Sequence, residues 1–271
     1  MSAKPTIGFI GCGNMAQAMI SGLLKKGFTS KQIFVFDVDL PKTKKFVQTH
    51  KINFVSDNHQ LALISEVLIL AIKPQEMKNV LREIAPFLRK QFLISIAAGV
   101  ETALIRKFAP SCPILRSMPN NPALIGQGIT GLYGKKLSAA HKTLSEKIFA
   151  GCGEIVWIEK EELLDVVTGL SGSGPAYVYA FTQALEEAGK RLGLPDNIAY
   201  QLALKTLIGS ANTLLQTGKN PSELISLVTS KKGTTLEGLK VLKKYKMSEV
   251  LLKTVKAATK RAQEIRKELS Q

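Results

Sequence analysis

The stretch TIGFIGCGNMAQAM, Thr6 to Met19, decides the fold. An apolar run ends abruptly at Gly11, and Gly11, Gly13 and Ala16 then fall in the spacing G-x-G-x-x-A where a helical pattern begins. Each residue type has a physical reason to be there. Gly11 permits a tight turn, Gly13 lets a pyrophosphate approach bare backbone, and Ala16 allows helix and strand to pack closely. Asn14 and Met15 open the helix, whose free N–H groups and partial positive charge suit phosphate. This is the start of a Rossmann-type dinucleotide-binding unit, with NADH or NADPH as the expected cofactor. Asp37 lies 24 residues beyond Gly13, where an acid at the end of a second strand would take the ribose hydroxyls. Read alone it favours NADH; Lys42, Lys44 and Lys45 follow closely and could neutralise a 2′-phosphate, so the sequence leaves the choice open.

Working outward, the first 160 residues alternate short β-rich runs with helical stretches, the pattern of a doubly wound parallel sheet. Strands are expected at Thr6–Ile10, Ile33–Phe36, Val67–Ile72, Phe92–Ile96, Ile114–Arg116 and near Glu154–Ile158. Helices are expected at Met15–Lys26, closing at Gly27, at Pro41–His50, after Pro74 and from Glu101. Ligands of such sheets sit outside the carboxyl ends of the strands. The turns Ala71, Ile72, Lys73, Pro74 and Ala97, Ala98, Gly99 should therefore also face the cofactor, the small residues leaving space for a nicotinamide ring.

Beyond Glu161 the periodicity becomes helical. The expected organisation is a dinucleotide-binding domain over 1–161 and an all-helical domain over 162–271. Ile198 to Leu215 leaves little polar face, as in a helix enclosed by others. Leu251, Val255, Ala258, Ala262, Ile265 and Leu269 form a heptad seam that must find a partner helix. A homodimer or larger homo-oligomer built on the helical domain is expected, and an intramolecular partner is the alternative.

Composition narrows the class further. Apolar stretches fall well short of the roughly 20 residues of a membrane span, and the apolar strand begins too early to leave room for a signal peptide, so a cytoplasmic protein is expected. Cys12, Cys112 and Cys152 make no metal-binding spacing with the histidines and read as reduced packing residues; no metal is expected. The formal charge is +16, and residues 219–271 carry 13 Lys and Arg against 5 Glu, half of that total. Spread along an amphipathic helix without interleaved aromatics, these charges argue against nucleic acid and for a field that attracts a phosphate-bearing cofactor and a carboxylate substrate.

Several stretches together resemble the pyrroline-5-carboxylate reductase family over nearly the whole chain. IGFIGCGNMAQA (Ile7 to Ala18), AIKPQ (Ala71 to Gln75) and ISIAAGV (Ile94 to Val100) resemble its cofactor turns. RSMPNNPA (Arg116 to Ala123) resembles its nicotinamide-side hallmark, with Met118, Pro119 and Asn120 at the cofactor. TGLSGSGPAY (Thr168 to Tyr177) resembles the start of its helical dimerisation domain, and VTSKKGTTLEGL (Val228 to Leu239) its substrate loop. The resemblance implies hydride transfer from NAD(P)H to the imine carbon of 1-pyrroline-5-carboxylate, giving proline. It also implies that Gly233, Thr234 and Thr235 bind the substrate carboxylate, that Thr235 hydrogen-bonds the imine nitrogen, that Ser230 lines the pocket, and that Asn58 contacts the adenosine side. A plain helix-capping role for Ser230 and Thr235 is the alternative. The chain departs from the family at Lys231 and Lys232, where proline and glycine are usual. Two rivals remain: a reductase of the same plan acting on another imine or a hydroxy acid, and a non-catalytic dinucleotide- or nucleic-acid-binding protein. The hydroxy-acid enzymes place a lysine early on the first long helix of the helical domain, and here none appears before Lys190.

Overall fold

The computed structural model describes residues 4–270. They pack as two compact units, residues up to Ser173 with those from Lys256 onward, and Gly174–Val255.

The first unit holds one sheet of β1 (Ile7–Ile10), β2 (Ile33–Phe36), β3 (Asn53–Phe54), β4 (Val67–Leu70), β5 (Phe92–Ser95), β6 (Ile114–Met118), β7 (Gly128–Tyr133) and β8 (Gly153–Trp157). The strand order is β3-β2-β1-β4-β5-β6-β7-β8, and β1 to β6 are mutually parallel. The chain winds one way from β1 and then, at β4, the other, so the switch point lies between these two strands. Because strand side chains alternate, Phe9 and Ile69 point into one core and Ile10, Leu68 and Leu70 into the other. Met19 and Leu23 of α1 (Asn14–Lys25) and Phe149 of α6 (Ala139–Phe149) cover the first core. Leu61 of α3 (Asn58–Ile64), Leu81 of α4 (Met77–Ile84) and Ile105 of α5 (Thr102–Phe108) cover the second. Each such side chain contributes about 1.5–3 kcal/mol on burial, which explains why β1, β4 and β5, buried at every position, are largely apolar. Helix α2 (Leu40–His50) follows β2, and its start is capped by Asp39.

The sheet's far edge differs from expectation. β7 pairs antiparallel with β6, placing Ser117 opposite Leu132 and Met118 opposite Gly131. GITGLY gives a weak strand signal because glycine packs poorly in strands. Tertiary crowding requires it: a Cβ on Gly128 would approach Ala123 N and Cys152 O to 2.8 Å each. The three cysteines are free and buried, and burial pushes the Cys152 thiol up to about 11, leaving it a neutral packing group.

The expected division at residue 161 also differs from the packing. Helix α7 (Leu163–Val167) and the wide turn Thr168–Gly172 belong with the sheet, Leu164 and Asp165 being fully buried. The heptad seam divides as well. In α12 (Met247–Ser270), Ala262 is buried, Ile265 lies against Gly99 and Leu269 packs on a sheet core, while Leu251 is exposed. Over its second half the seam thus finds its partner within the chain.

The second unit contains α8 (Gly174–Arg191), α9 (Asp196–Thr217), α10 (Pro221–Leu227), α11 (Thr234–Lys244) and the first turns of α12. α8 and α9 approach closely where Gly189 meets Ala199. No α8 residue is buried, and α9 buries only Ala199 and Ala203. Leu202, Ile208 and Leu215 are left exposed.

Candidate active site

The turn between β1 and α1 is fixed by long-range contacts. Gly11 adopts φ 100°, donates its N–H to Phe36 O at 2.8 Å, and a Cβ there would collide with the Ala71 carbonyl. Cys12 N–H donates to Asp37 Oδ2 at 2.6 Å. Gly13 precedes α1 with no side chain capping the helix and no acid in its first turn. A Cβ on Gly13 would meet nothing within 4 Å, so the first N–H groups of α1 open onto clear space. Asn14 is exposed, Met15 half-buried and Ala16 buried against the core. Uncapped donors at a positive helix end, behind a residue without a side chain, fit a dinucleotide pyrophosphate.

The other expected cofactor residues of this unit gather along the carboxyl ends of the strands. Ala71, Ile72, Lys73 and Pro74 follow β4, Ala97 and Gly99 follow β5, and Met118, Pro119 and Asn120 end or follow β6. Asp37 follows β2, its second oxygen accepting from Asp39 N–H at 2.8 Å. Its carboxylate therefore braces the turn between β1 and α1. Asn58, at the start of α3, donates from Nδ2 to Glu83 at 3.0 Å, and its buried Oδ1 has no partner among the described residues. Asn120 is committed to the frame of the sheet, since its Oδ1 accepts the Ile129 N–H at 2.9 Å and ties the end of β6 to β7.

Ser230, Gly233, Thr234 and Thr235 lie in the helical unit. Gly233 precedes α11, no side chain caps that helix, and Ser230 Oγ sits beside Gly233. Thr234 and Thr235 are exposed in the first turn, with backbone donors uncommitted to a side chain. Lys232 holds φ 63°, the left-handed region natural to glycine. Lys190 sits in the last turn of α8 and pairs with Glu186 at 2.7 Å, which holds its ammonium above the ordinary lysine range. It has none of the depressed basicity that a general base at neutral pH requires.

A charged ring beside the Ala97–Gly99 turn had no local sequence signal. Arg116 Nη2 meets Asp165 Oδ1 at 3.1 Å and its Nη1 lies 3.5 Å from Glu161. Arg266 meets Asp165 Oδ2 at 3.0 Å and Glu101 at 2.9 Å. Its members come from four separate places in the sequence.

Comparison with known proteins agrees with this fold. Residues 161–265 match the model described as pyrroline-5-carboxylate reductase dimerisation, and residues 6–99 match NADP oxidoreductase coenzyme F420-dependent. A pyrroline-5-carboxylate reductase of Synechocystis sp. is 38% identical over 263 residues, covering 96% of this chain and 98% of that one. The chain belongs to the pyrroline-5-carboxylate reductase family. The pyrroline-5-carboxylate reductase structure from Coxiella burnetii superposes with a TM-score of 0.91 at 36% identity, covering 97% of this chain and 99% of that one. The Plasmodium falciparum pyrroline carboxylate reductase, solved with NADP bound, gives 0.87 at 28% identity, covering 97% and 98%. As in those reductases, a doubly wound sheet here precedes helices matched by a dimerisation model.

Proposed function

We propose that this chain reduces 1-pyrroline-5-carboxylate to L-proline at the expense of NADPH or NADH. The observation that carries the reading is the uncapped start of α1 behind Gly13, in a chain that aligns end to end with named pyrroline-5-carboxylate reductases. When bound, the reduced nicotinamide supplies a hydride. The residues of this chain bind and orient. The turn Gly11–Ala16 grips the pyrophosphate, and the turn at Ala97 and Gly99 walls the ring's side of the site, the space beside Gly99 itself being taken by the last helix. At α11, the N–H groups of Gly233, Thr234 and Thr235 hold the substrate carboxylate at the positive end of a helix. The Thr235 hydroxyl bonds the imine nitrogen as it takes a proton, and Ser230 lines the pocket. Alignment supplies most of the rate, so neither a histidine nor a carboxylate pair is needed.

NADPH is the better donor on this reading. The Asp37 carboxylate is already engaged by two backbone N–H groups, which lessens its repulsion of a 2′-phosphate. Lys42 stands in the first turn of α2, its backbone N–H capped by Asp39, on the helix that directly follows the Asp37 turn. The helical unit's exposed apolar residues and its match to a dimerisation model support a homodimer or larger homo-oligomer. Three free, buried cysteines suit the reducing cytoplasm.

The test is to mix the purified protein with pyrroline-5-carboxylate and either cofactor, and to follow loss of reduced-nicotinamide absorbance. Oxidation is expected with both, faster with NADPH. Thr235→Ala should lower kcat by about 100-fold and leave dinucleotide affinity intact. Unchanged turnover in that variant removes Thr235 from its role, and no oxidation by the unaltered protein removes the reading itself.

A further inference from the structure

We propose that Arg266, near the end of the last helix, is a positioning residue for the nicotinamide side of the cofactor site: it clamps the turn Ala97–Val100 through a closed ring of charges. The inference deepens the reading above and rests on it for what that turn holds.

The backbone of α12 roofs the turn. Gly99 has φ 74°, and a Cβ there would lie 2.8 Å from Ile265 Cγ2 and 3.1 Å from Arg266 N. Arg266 Nη1 then reaches Glu101 Oε1 at 2.9 Å, two residues beyond Gly99 and immediately before α5. Its Nε lies 3.0 Å from Asp165 Oδ2. The other Asp165 oxygen receives Arg116 Nη2 at 3.1 Å, and Arg116 Nη1 lies 3.5 Å from Glu161 Oε1. Glu161 in turn accepts both the backbone N–H and the hydroxyl of Thr102, each at 2.7 Å. Chain connectivity from Thr102 to Glu101 closes the ring.

Asp165 is fully buried and Arg116 is 2% exposed, so bulk water does not screen the central pair. The ring ties the β5–α5 turn, the β6 strand just before Met118, and α7 to one helix that arrives from the far end of the sequence. Losing the Arg266 guanidinium would leave Glu101 without its ion-pair partner and Asp165 with one guanidinium in place of two. Gly99, freed from its roof, would no longer hold the ring-side wall at the spacing that hydride transfer demands.

The experiment uses the full chain with Arg266→Met, Arg266→Lys and Glu101→Gln. Amide hydrogen exchange, followed by mass spectrometry on the protein without ligand, reads the turn directly and needs no assumption about the reaction. In Arg266→Met, exchange over residues 97–102 should quicken about tenfold, with β1 and α1 unchanged. The KM for NADPH should rise by a similar factor while the KM for the imine stays within about twofold. Arg266→Lys should recover part of both effects, since a single ammonium can serve one acid but not both. Glu101→Gln, which leaves the Arg116–Asp165 pair in place, should move both readouts the same way by less, and it keeps the test open if Arg266→Met folds poorly. Unchanged exchange at 97–102, or faster exchange spread evenly through the sheet, overturns the positioning role. Failure of the unaltered protein to oxidise NADPH overturns the proposed reaction, and the exchange result then stands or falls alone.

Discussion

The helices α1 and α11 each follow a glycine and carry no side-chain cap, and their starts are built very differently. The start of α1 is held from below and beside, Gly11 by Phe36 and Cys12 by Asp37, while the position a Gly13 side chain would take is open. The start of α11 is held locally, by the Gly233 N–H donating to Ser230 O at 3.0 Å, in a unit with almost no buried side chains. A site whose geometry comes from a buried sheet is complete in a single chain. One that rests on exposed helices requires further packing to become rigid, and apolar side chains such as Leu202 and Leu215 are available for it.

The largest effect should come from breaking the sheet-built turn. Gly11→Ala places a methyl group into the Ala71 carbonyl at a backbone angle that alanine resists. Dinucleotide affinity should fall by roughly 100-fold or more, measured by fluorescence titration. Leu202→Glu probes the other region. Charge on an exposed apolar face should dissociate the oligomer, seen as a lower mass in light scattering, and imine turnover should collapse while dinucleotide binding stays within about threefold. Loss of both together would mean the two regions are less independent than their construction implies. Lys42→Ala should raise the KM for NADPH by about fivefold and leave that for NADH unchanged, as expected for one exposed ionic contact. The smallest effect concerns strain in the α11 loop. Lys232→Gly relieves a left-handed lysine and should stabilise the fold by about 0.5–1 kcal/mol after glycine's entropy cost, raising the thermal midpoint by about 2 °C.

Legibility in the sequence followed the range of the interactions. The glycine turn after β1 is readable because its requirements are local, a strand end followed by three small residues in fixed spacing. Asp37 stands out in the sequence by its distance from that turn, whereas its bond to the Cys12 N–H depends on the sheet. β7 was missed because its glycines are demanded by neighbours far away in sequence, and glycine in isolation signals a turn. The heptad seam of α12 was legible as a stripe, but one stripe cannot reveal that Leu269 packs on the sheet while Leu251 stays exposed.

By itself, the order of residues determined the doubly wound plan, the place of the glycine turn after β1 and the change to helices, because apolar periodicity and glycine spacing act over a few residues. Only the tertiary structure decided the antiparallel edge, the return of the last helix to the sheet and the ring joining Arg116, Glu161, Asp165, Glu101 and Arg266. Those five residues are scattered over 166 positions. Charge pairing across such distances is set by which elements pack together, and no local pattern records that choice.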